Sequence, residues 1–299
     1  MPTKIIELAR HGDIVVEKKY GMSLEEFRRD HLNPLVPVVL GDATAQWPAV
    51  KEFSFEFFKR RFGNREVEIA GQHFPLAEFI DRLETCTAEN PAPYPGKLAL
   101  DRHFPELIEY VQPRFNYACP DRIGHRAIPQ SFACGAANYE IFFGSSGGSF
   151  PYVHYDYMGF HAWINQIVGE KEFIIVPPWE SHYVYPDPAD PWKSLVNNLK
   201  DPDLERFPLT TQATVLSFIV GPGETMFIPN GWWHTTISKT ATISVAFDQL
   251  CHSNWSRFRA EVRTKFAGAH PAKQALSQAY LALLGPMLDL SERMRTART

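Results

Sequence analysis

The sequence predicts a mainly β chain, folded as a sandwich or barrel with helices around it, and three observations carry that prediction. From about residue 137, short apolar or alternating segments recur with turn signals between them: YEIFFG, WINQIVG, KEFIIVPP, TVLSFIVGPG, ETMFIP and ATISVAFDQ. The stretches before and after them are patterned for helix. At 299 residues, 44% of them hydrophobic, the chain is long enough to bury a real core.

Residues 1 to about 32 mix short apolar pieces with charges, and SLEEFRRDHL reads as one helix with Ser23 and Glu26 at capping-box spacing. Val36 to Leu40 reads as a buried strand ending in a Gly-Asp turn. In SFEFFKRRFG, Phe55, Phe57, Phe58 and Phe62 suit a helix that packs on one face, and Leu76 to Cys86 reads as another helix. ENPAPYPG is a loop. Later, the GPGE corner is the strongest turn and leads into a strand from Thr225 to Ile228. Beyond Asp248, SNWSRFRAEVRTKF and AKQALSQAYLALLGPMLDLSERMRT are amphipathic helices separated by GAHP. No repeat or low-complexity segment is found. Three portions result: 1–125, an α/β portion packing on the barrel; 126–250, the β core; and 251–299, the C-terminal helices.

With 21% charged residues and a net charge of -4, nothing favours nucleic acid or an anionic membrane as a partner. The opening MPTKIIELARHGDIVVEKKYG carries charges throughout and does not read as a signal peptide. No apolar run approaches a membrane span. Cys86, Cys119, Cys134 and Cys251 form no CxxC pair, which suits reduced thiols in a cytoplasmic protein.

The chemistry is carried by His154-Tyr155-Asp156. Residues two apart on a strand share a face, so an imidazole and a carboxylate converge on one point. Alone, an HxD is a weak signal, because such residues near strand ends often serve turns. His234, in IPNGWWHTT, is placed to supply a third ligand from a neighbouring strand. Two histidines and one carboxylate on one side of a metal leave three positions open, an arrangement suited to non-haem Fe(II).

In order along the chain, PVVLGDATAQWPAV, HYD, QIVGEKEFIIVPP, ERFP, VGPGETMFIPNGWWH and ISVAF together resemble the JmjC-type, cupin-like 2-oxoglutarate oxygenases. That family includes the asparaginyl hydroxylase factor inhibiting HIF, and the resemblance runs from about Pro34 to Asp248. It implies a double-stranded β-helix (a jelly roll) with Fe(II) on His154, Asp156 and His234. It also implies that Lys171 salt-bridges the distal carboxylate of 2-oxoglutarate. The residues agree: a dicarboxylate in an apolar barrel needs a buried cation, and Lys171 starts a strand with Phe173 and Ile175 on its own face. The implied reaction is hydroxylation coupled to decarboxylation of 2-oxoglutarate to succinate, with demethylation by loss of formaldehyde using the same steps.

The chain departs from the family pattern at Pro151, where a Thr or Ser is usual, and at Ala162 and Ala246, where asparagines are common. His161 or Asn165 is the expected replacement in the cosubstrate pocket. Tyr139, Tyr152 and Tyr157 are candidate substrate contacts, although an aromatic on a strand is usually core. Trp232 and Trp233 read as packing. Trp179, His182 and Tyr183 read as surface or lid, and Cys251 beside His252 as no nucleophile pair. The substrate stays open between a protein side chain and a small molecule. A non-catalytic metal-binding cupin-like protein is the competing reading. Ala275, Leu276, Tyr280, Leu281, Leu283, Leu284, Met287 and Leu288 form a broad apolar surface, suited to packing on the barrel or to a homodimer.

Overall fold

The computed structural model describes residues 3–4, 15–133 and 139–296. Its strands are β1 (Thr3–Lys4), β2 (Glu17–Lys19), β3 (Val38–Leu40), β4 (Glu66–Ile69), β5 (Gln72–Pro75), β6 (Gly96–Ala99), β7 (Glu140–Gly144), β8 (His161–Val168), β9 (Lys171–Val176), β10 (Leu216–Val220), β11 (Thr225–Ile228), β12 (Trp233–Ser238) and β13 (Thr242–Gln249). A large sheet runs β1-β2-β3-β11-β8-β13-β7-β6, and a small one runs β10-β9-β12. Apolar residues from both sheets meet between them, among them Val39, Met226 and Ile228 against Phe173, Ile175 and Phe218. Neighbours on each sheet are distant in sequence, as β11-β8-β13 shows, and this winding is that of the expected jelly roll.

Period-two alternation gives the central strands two different faces. In β8, Trp163 and Ile167 belong to a core shared with the N-terminal helices, whereas Ala162 packs between the sheets. Antiparallel register carries this across the sheet: Ala162 opposes Asp248, Ile164 opposes Ala246, and Ala246 opposes Glu140.

The helices α1 (Leu24–Phe27), α2 (Pro48–Glu52), α3 (Phe55–Phe62), α4 (Leu76–Thr85), α5 (Leu100–His103) and α6 (Gln130–Ala133) precede the barrel. The expected capping box forms: Glu26 N–H donates to the Ser23 hydroxyl (3.1 Å), and Ser23 N–H donates to the Glu26 carboxylate (2.9 Å). Ser54 caps α3 in the same way, accepting from Phe57 N–H at 3.1 Å. These helices bury Phe27, Phe58, Phe79 and Phe104 against the outer face of the large sheet. The strand anticipated from Val36 starts at Val38. Leu35 is left-handed (φ 59), and Val36 N–H turns back to the His31 carbonyl at 2.9 Å.

After the barrel come α7 (Trp255–Lys265) and α8 (Pro271–Thr296). Leu281, Leu284 and Leu288 pack on Trp255 and Phe258, while Leu276, Leu283 and Met287 are exposed. Arg122, itself buried, clamps α8 to the barrel through Asp289 and Glu292. Among the described residues no helix is long and apolar enough to cross a membrane. Cys86, Cys119 and Cys251 are free thiols, and Cys134 and most of the opening segment lie outside the described residues.

Candidate metal centre

Two strand-like segments bring the histidines together. His154 N–H donates to the His234 carbonyl (3.0 Å) and His234 N–H to the His154 carbonyl (2.6 Å), so the two residues are directly opposed. Opposed residues place their side chains on one face, and the imidazole centroids stand 4.4 Å apart. The HxD does not lie in a regular strand as anticipated: His154 forms isolated bridges, and Asp156 opens a single turn over Tyr157–Gly159. The chain stays extended at Asp156 (φ -65, ψ 128), so same-face alternation survives. Asp156 Oδ2 lies 3.9 Å from His234 Nε2, and one donor atom from each of the three residues lies within 4.8 Å of the others.

The donor set fits a divalent cation. His234 Nδ1 is 3.0 Å from the Trp232 carbonyl, which can only accept, so Nδ1 holds the proton and Nε2 offers its lone pair toward Asp156. His154 Nδ1 is buried with no hydrogen-bond partner. Burial, then the neighbouring His234, pushes the His154 pKa well below the usual histidine range. Burial pushes Asp156 up, with His234 and Lys97 pulling the other way. A bound cation reinforces the first shift and opposes the second, since it favours a neutral imidazole and an ionised carboxylate. Two nitrogens and one oxygen at one corner of a cavity suit Fe(II) with open positions.

The three residues line a cavity of about 450 Å³ that also contains Lys171. His234 pairs with Ile175, four residues along β9 from Lys171, a Cα separation of roughly 13 Å. Lys171 is 2% exposed, and its Nζ donates to Ser244 Oγ (2.7 Å), which donates to Gln166 Oε1 (2.8 Å). The ammonium also stands 5.7 Å from the Tyr94 ring and 5.6 Å from the Phe142 ring. Burial lowers the Lys171 pKa to about 7. Tyr94 is hydrogen-bonded to Thr236, and both line the cavity.

His161 and Asn165 are not brought to this cavity. On β8 they alternate with Ala162 and Ile164, which do line it. His161 instead meets Ser253 Oγ through Nε2 (2.8 Å) and accepts from Asn230 N–H at Nδ1 (3.0 Å). Burial lowers its pKa to about 3. Asn165 accepts from Thr225 Oγ1 (2.9 Å) and donates to the Val245 carbonyl (2.9 Å). Tyr139 also packs outward, its hydroxyl accepting from Gln112 at 3.2 Å. Tyr152 and Tyr157 do line the cavity. Trp232 and Trp233 are core, Met158 is buried beneath α7 and α8, and Trp179 is exposed.

The residues missed are Tyr94, Gln166, Thr236, Ser244, Lys97, Glu140 and Asp248. Strand periodicity was the available signal for most of them: Thr236 is two past His234, Ser244 and Asp248 flank Ala246, and Gln166 shares the face of Ala162. Tyr94 sits in a proline-rich loop, where no period exists. Lys97 Nζ pairs with Glu140 Oε1 at 2.8 Å. Burial, reinforced by Asp156 and Glu140, pushes the Asp248 carboxyl well above its usual range.

Residues 24–248 match the family model described as a cupin-like domain, and the chain belongs to that family. It is 28% identical over 256 residues to lysine-specific demethylase 8 of Xenopus tropicalis, covering 79% of this chain and 53% of that protein. It is 28% identical over 249 residues to lysine-specific demethylase JMJ30 of Arabidopsis thaliana (78% and 54% covered). It is 24% identical over 258 residues to the bifunctional arginine demethylase and lysyl-hydroxylase psr-1 of Caenorhabditis elegans (78% and 60% covered). The chain thus spans between half and two thirds of the length of these relatives.

Proposed function

We propose that this cupin-like protein is an Fe(II)- and 2-oxoglutarate-dependent dioxygenase that hydroxylates a protein side chain or a small molecule. The observation that carries the reading is one cavity shared by the convergent His154, Asp156 and His234 and by the buried Lys171. Iron held by the three residues would supply oxygen activation, with 2-oxoglutarate as the electron source. Lys171 holds the far carboxylate, a charge-assisted contact in a site shielded from water. Phe142, Phe173 and Ile164 keep the walls apolar, which excludes water from the reacting centre.

Pro151, Ala162 and Ala246 lack the polar groups common in the family, and a binding protein without turnover would explain that loss. The polar shell of Tyr94, Thr236, Ser244 and Gln166 around Lys171 supports a working cosubstrate site instead. The free thiols at Cys86, Cys119 and Cys251 are in keeping with a cytoplasmic setting.

The test is the anaerobic visible spectrum of the apo-protein given Fe(II) and then 2-oxoglutarate. A charge-transfer band is expected in the wild type, absent in His154→Ala and weakened in Lys171→Ala. Bound iron without any band would favour the binding-protein reading.

A second copy of the chain is the partner we infer for α8. Its exposed Leu276, Tyr280, Leu283, Met287, Leu290 and Met294 alternate at spacings of four and three, the repeat of a helix-on-helix seam. Light scattering on Leu283→Glu/Met287→Glu should then give half the wild-type mass; a wild-type protein already monomeric at that concentration would refute the pairing.

A further inference from the structure

We infer that Arg257, on α7, is a positioning residue of the metal centre: through the Tyr155 hydroxyl it holds the loop that carries Asp156. The inference rests on the metal-centre reading above and adds to it the part taken by the C-terminal helices.

The three ligands are not held alike. His154 and His234 exchange two backbone hydrogen bonds, which fix both residues to the barrel. Asp156 lies beyond that bridge, and among the described residues no side chain donates to its carboxylate. Its place is set by the backbone from Tyr155 to Gly159, before β8 begins at His161. That backbone is not one the chain adopts freely. Met158 is left-handed (φ 62, ψ 11), a conformation that residues other than glycine keep only where their surroundings impose it.

The surroundings that impose it are α7 and α8. Tyr155 stands between two of the ligands in sequence, and Arg257 Nη2 donates to its hydroxyl at 3.0 Å. The guanidinium also stands 5.2 Å from the Tyr155 ring, and Glu261 pairs with it from one turn along at 2.8 Å. Met158, fully buried, packs with Trp255, Phe258 and Leu281. Asn254 Nδ2 donates to the Gly159 carbonyl at 3.0 Å. A Cβ at Gly159 would meet Arg257 Cγ at 2.4 Å, so the absent side chain lets α7 lie against the loop. Because α7 orders the loop for the metal, a bound metal must in turn hold α7 in place by the same factor.

The test is anaerobic calorimetry of Mn(II), a redox-stable stand-in for Fe(II), on the full chain. Arg257→Met keeps the stem that covers Gly159 and removes the donor; Tyr155→Phe keeps the ring and removes the acceptor. Each should weaken Mn(II) about tenfold, and the double variant should lose no more than either single one. Phe58→Leu, destabilised where α3 packs on the large sheet, should bind as the wild type does, which separates positioning from general loosening. Melting curves establish that each variant is folded. Hydrogen exchange reads the coupling in reverse: the α7 amides should exchange about tenfold more slowly once Mn(II) is bound, and Arg257→Met should lose that slowing. Undiminished affinity in either single variant overturns the inference, as do additive losses in the double variant or an equal loss in Phe58→Leu. Exchange in α7 that ignores Mn(II) overturns it too. Failure of the wild type to bind Mn(II) would instead bring down the metal-centre reading.

Discussion

The two faces of the large sheet are built from the same strands to opposite ends. The face toward the N-terminal helices carries Tyr139, Phe143, Trp163, Phe227 and Phe247, which fill space and leave none. Its polar side chains, His161 and Asn165, are tied into fixed hydrogen bonds. The face toward the small sheet carries Ala162 and Ala246, which line a cavity of about 450 Å³, with Ser244 two residues before Ala246. Small residues staggered on adjacent strands, Ala162 opposite Asp248 and Ala246 opposite Ile164, make the room; a charged or polar residue two positions along furnishes it. Stability and chemistry are thereby separated by nothing more than the alternation of the strand.

The largest effect expected from breaking this division is on the packed face. Trp163→Ala should lose about 3–5 kcal/mol in a denaturant titration, since the void it leaves is enclosed by aromatics that cannot all follow. The protein that remains folded should hold metal as the wild type does, because no part of the donor set moves. Next is the opposite change on the other face. Ala246→Phe should reduce 2-oxoglutarate affinity by about 100-fold or more while leaving the melting temperature within a few degrees, because it fills space that nothing else uses.

Lys171→Met is expected to weaken 2-oxoglutarate about 10- to 100-fold, as loss of one buried charge-assisted contact should. The same side chain sets a pH dependence. Its folded pKa of about 7 lies below the ordinary 10.5, so above pH 7 the empty site has lost its proton and must regain it to hold a carboxylate. Affinity for 2-oxoglutarate should therefore fall as pH rises past 7, and the fall should vanish in Lys171→Met. Stability runs the other way. Between about pH 7 and 10.5 the unfolded chain holds the proton that the folded chain has released, so stability from this group rises with pH across that window.

A milder change on the packed face separates the two faces most cleanly. Asn165→Ala should cost about 1–2 kcal/mol, since it strands the Thr225 hydroxyl, yet leave 2-oxoglutarate affinity unchanged. A weakened affinity would mean that the outer face does reach the cosubstrate.

The jelly roll and the three metal residues were legible in the chain because each is local. Strand period, turn residues and the HxD spacing are properties of a few neighbouring positions, and ordered motifs from Pro34 to Asp248 added the rest. His161 and Asn165 failed as pocket residues for a related reason: the family position falls on Ala162, which does line the cavity, but the polar replacements expected for it stand one and three residues away, on the other face of the strand. Gln166 sits on the face where they were sought, one residue from Asn165.

What the amino-acid order could not disclose is what meets across the barrel. Tyr94 has no periodic context, and only the folded chain places its ring over Lys171. Lys97 and Glu140 come together because β6 lies beside β7. Register sets Asp248 opposite Ala162, and among the described residues no ion pair reaches it. Side-chain chemistry and short-range spacing were enough to say which residues are able to hold a metal and which segments are strands. Which charges are cancelled was settled only in the folded chain, because that depends on partners many residues away.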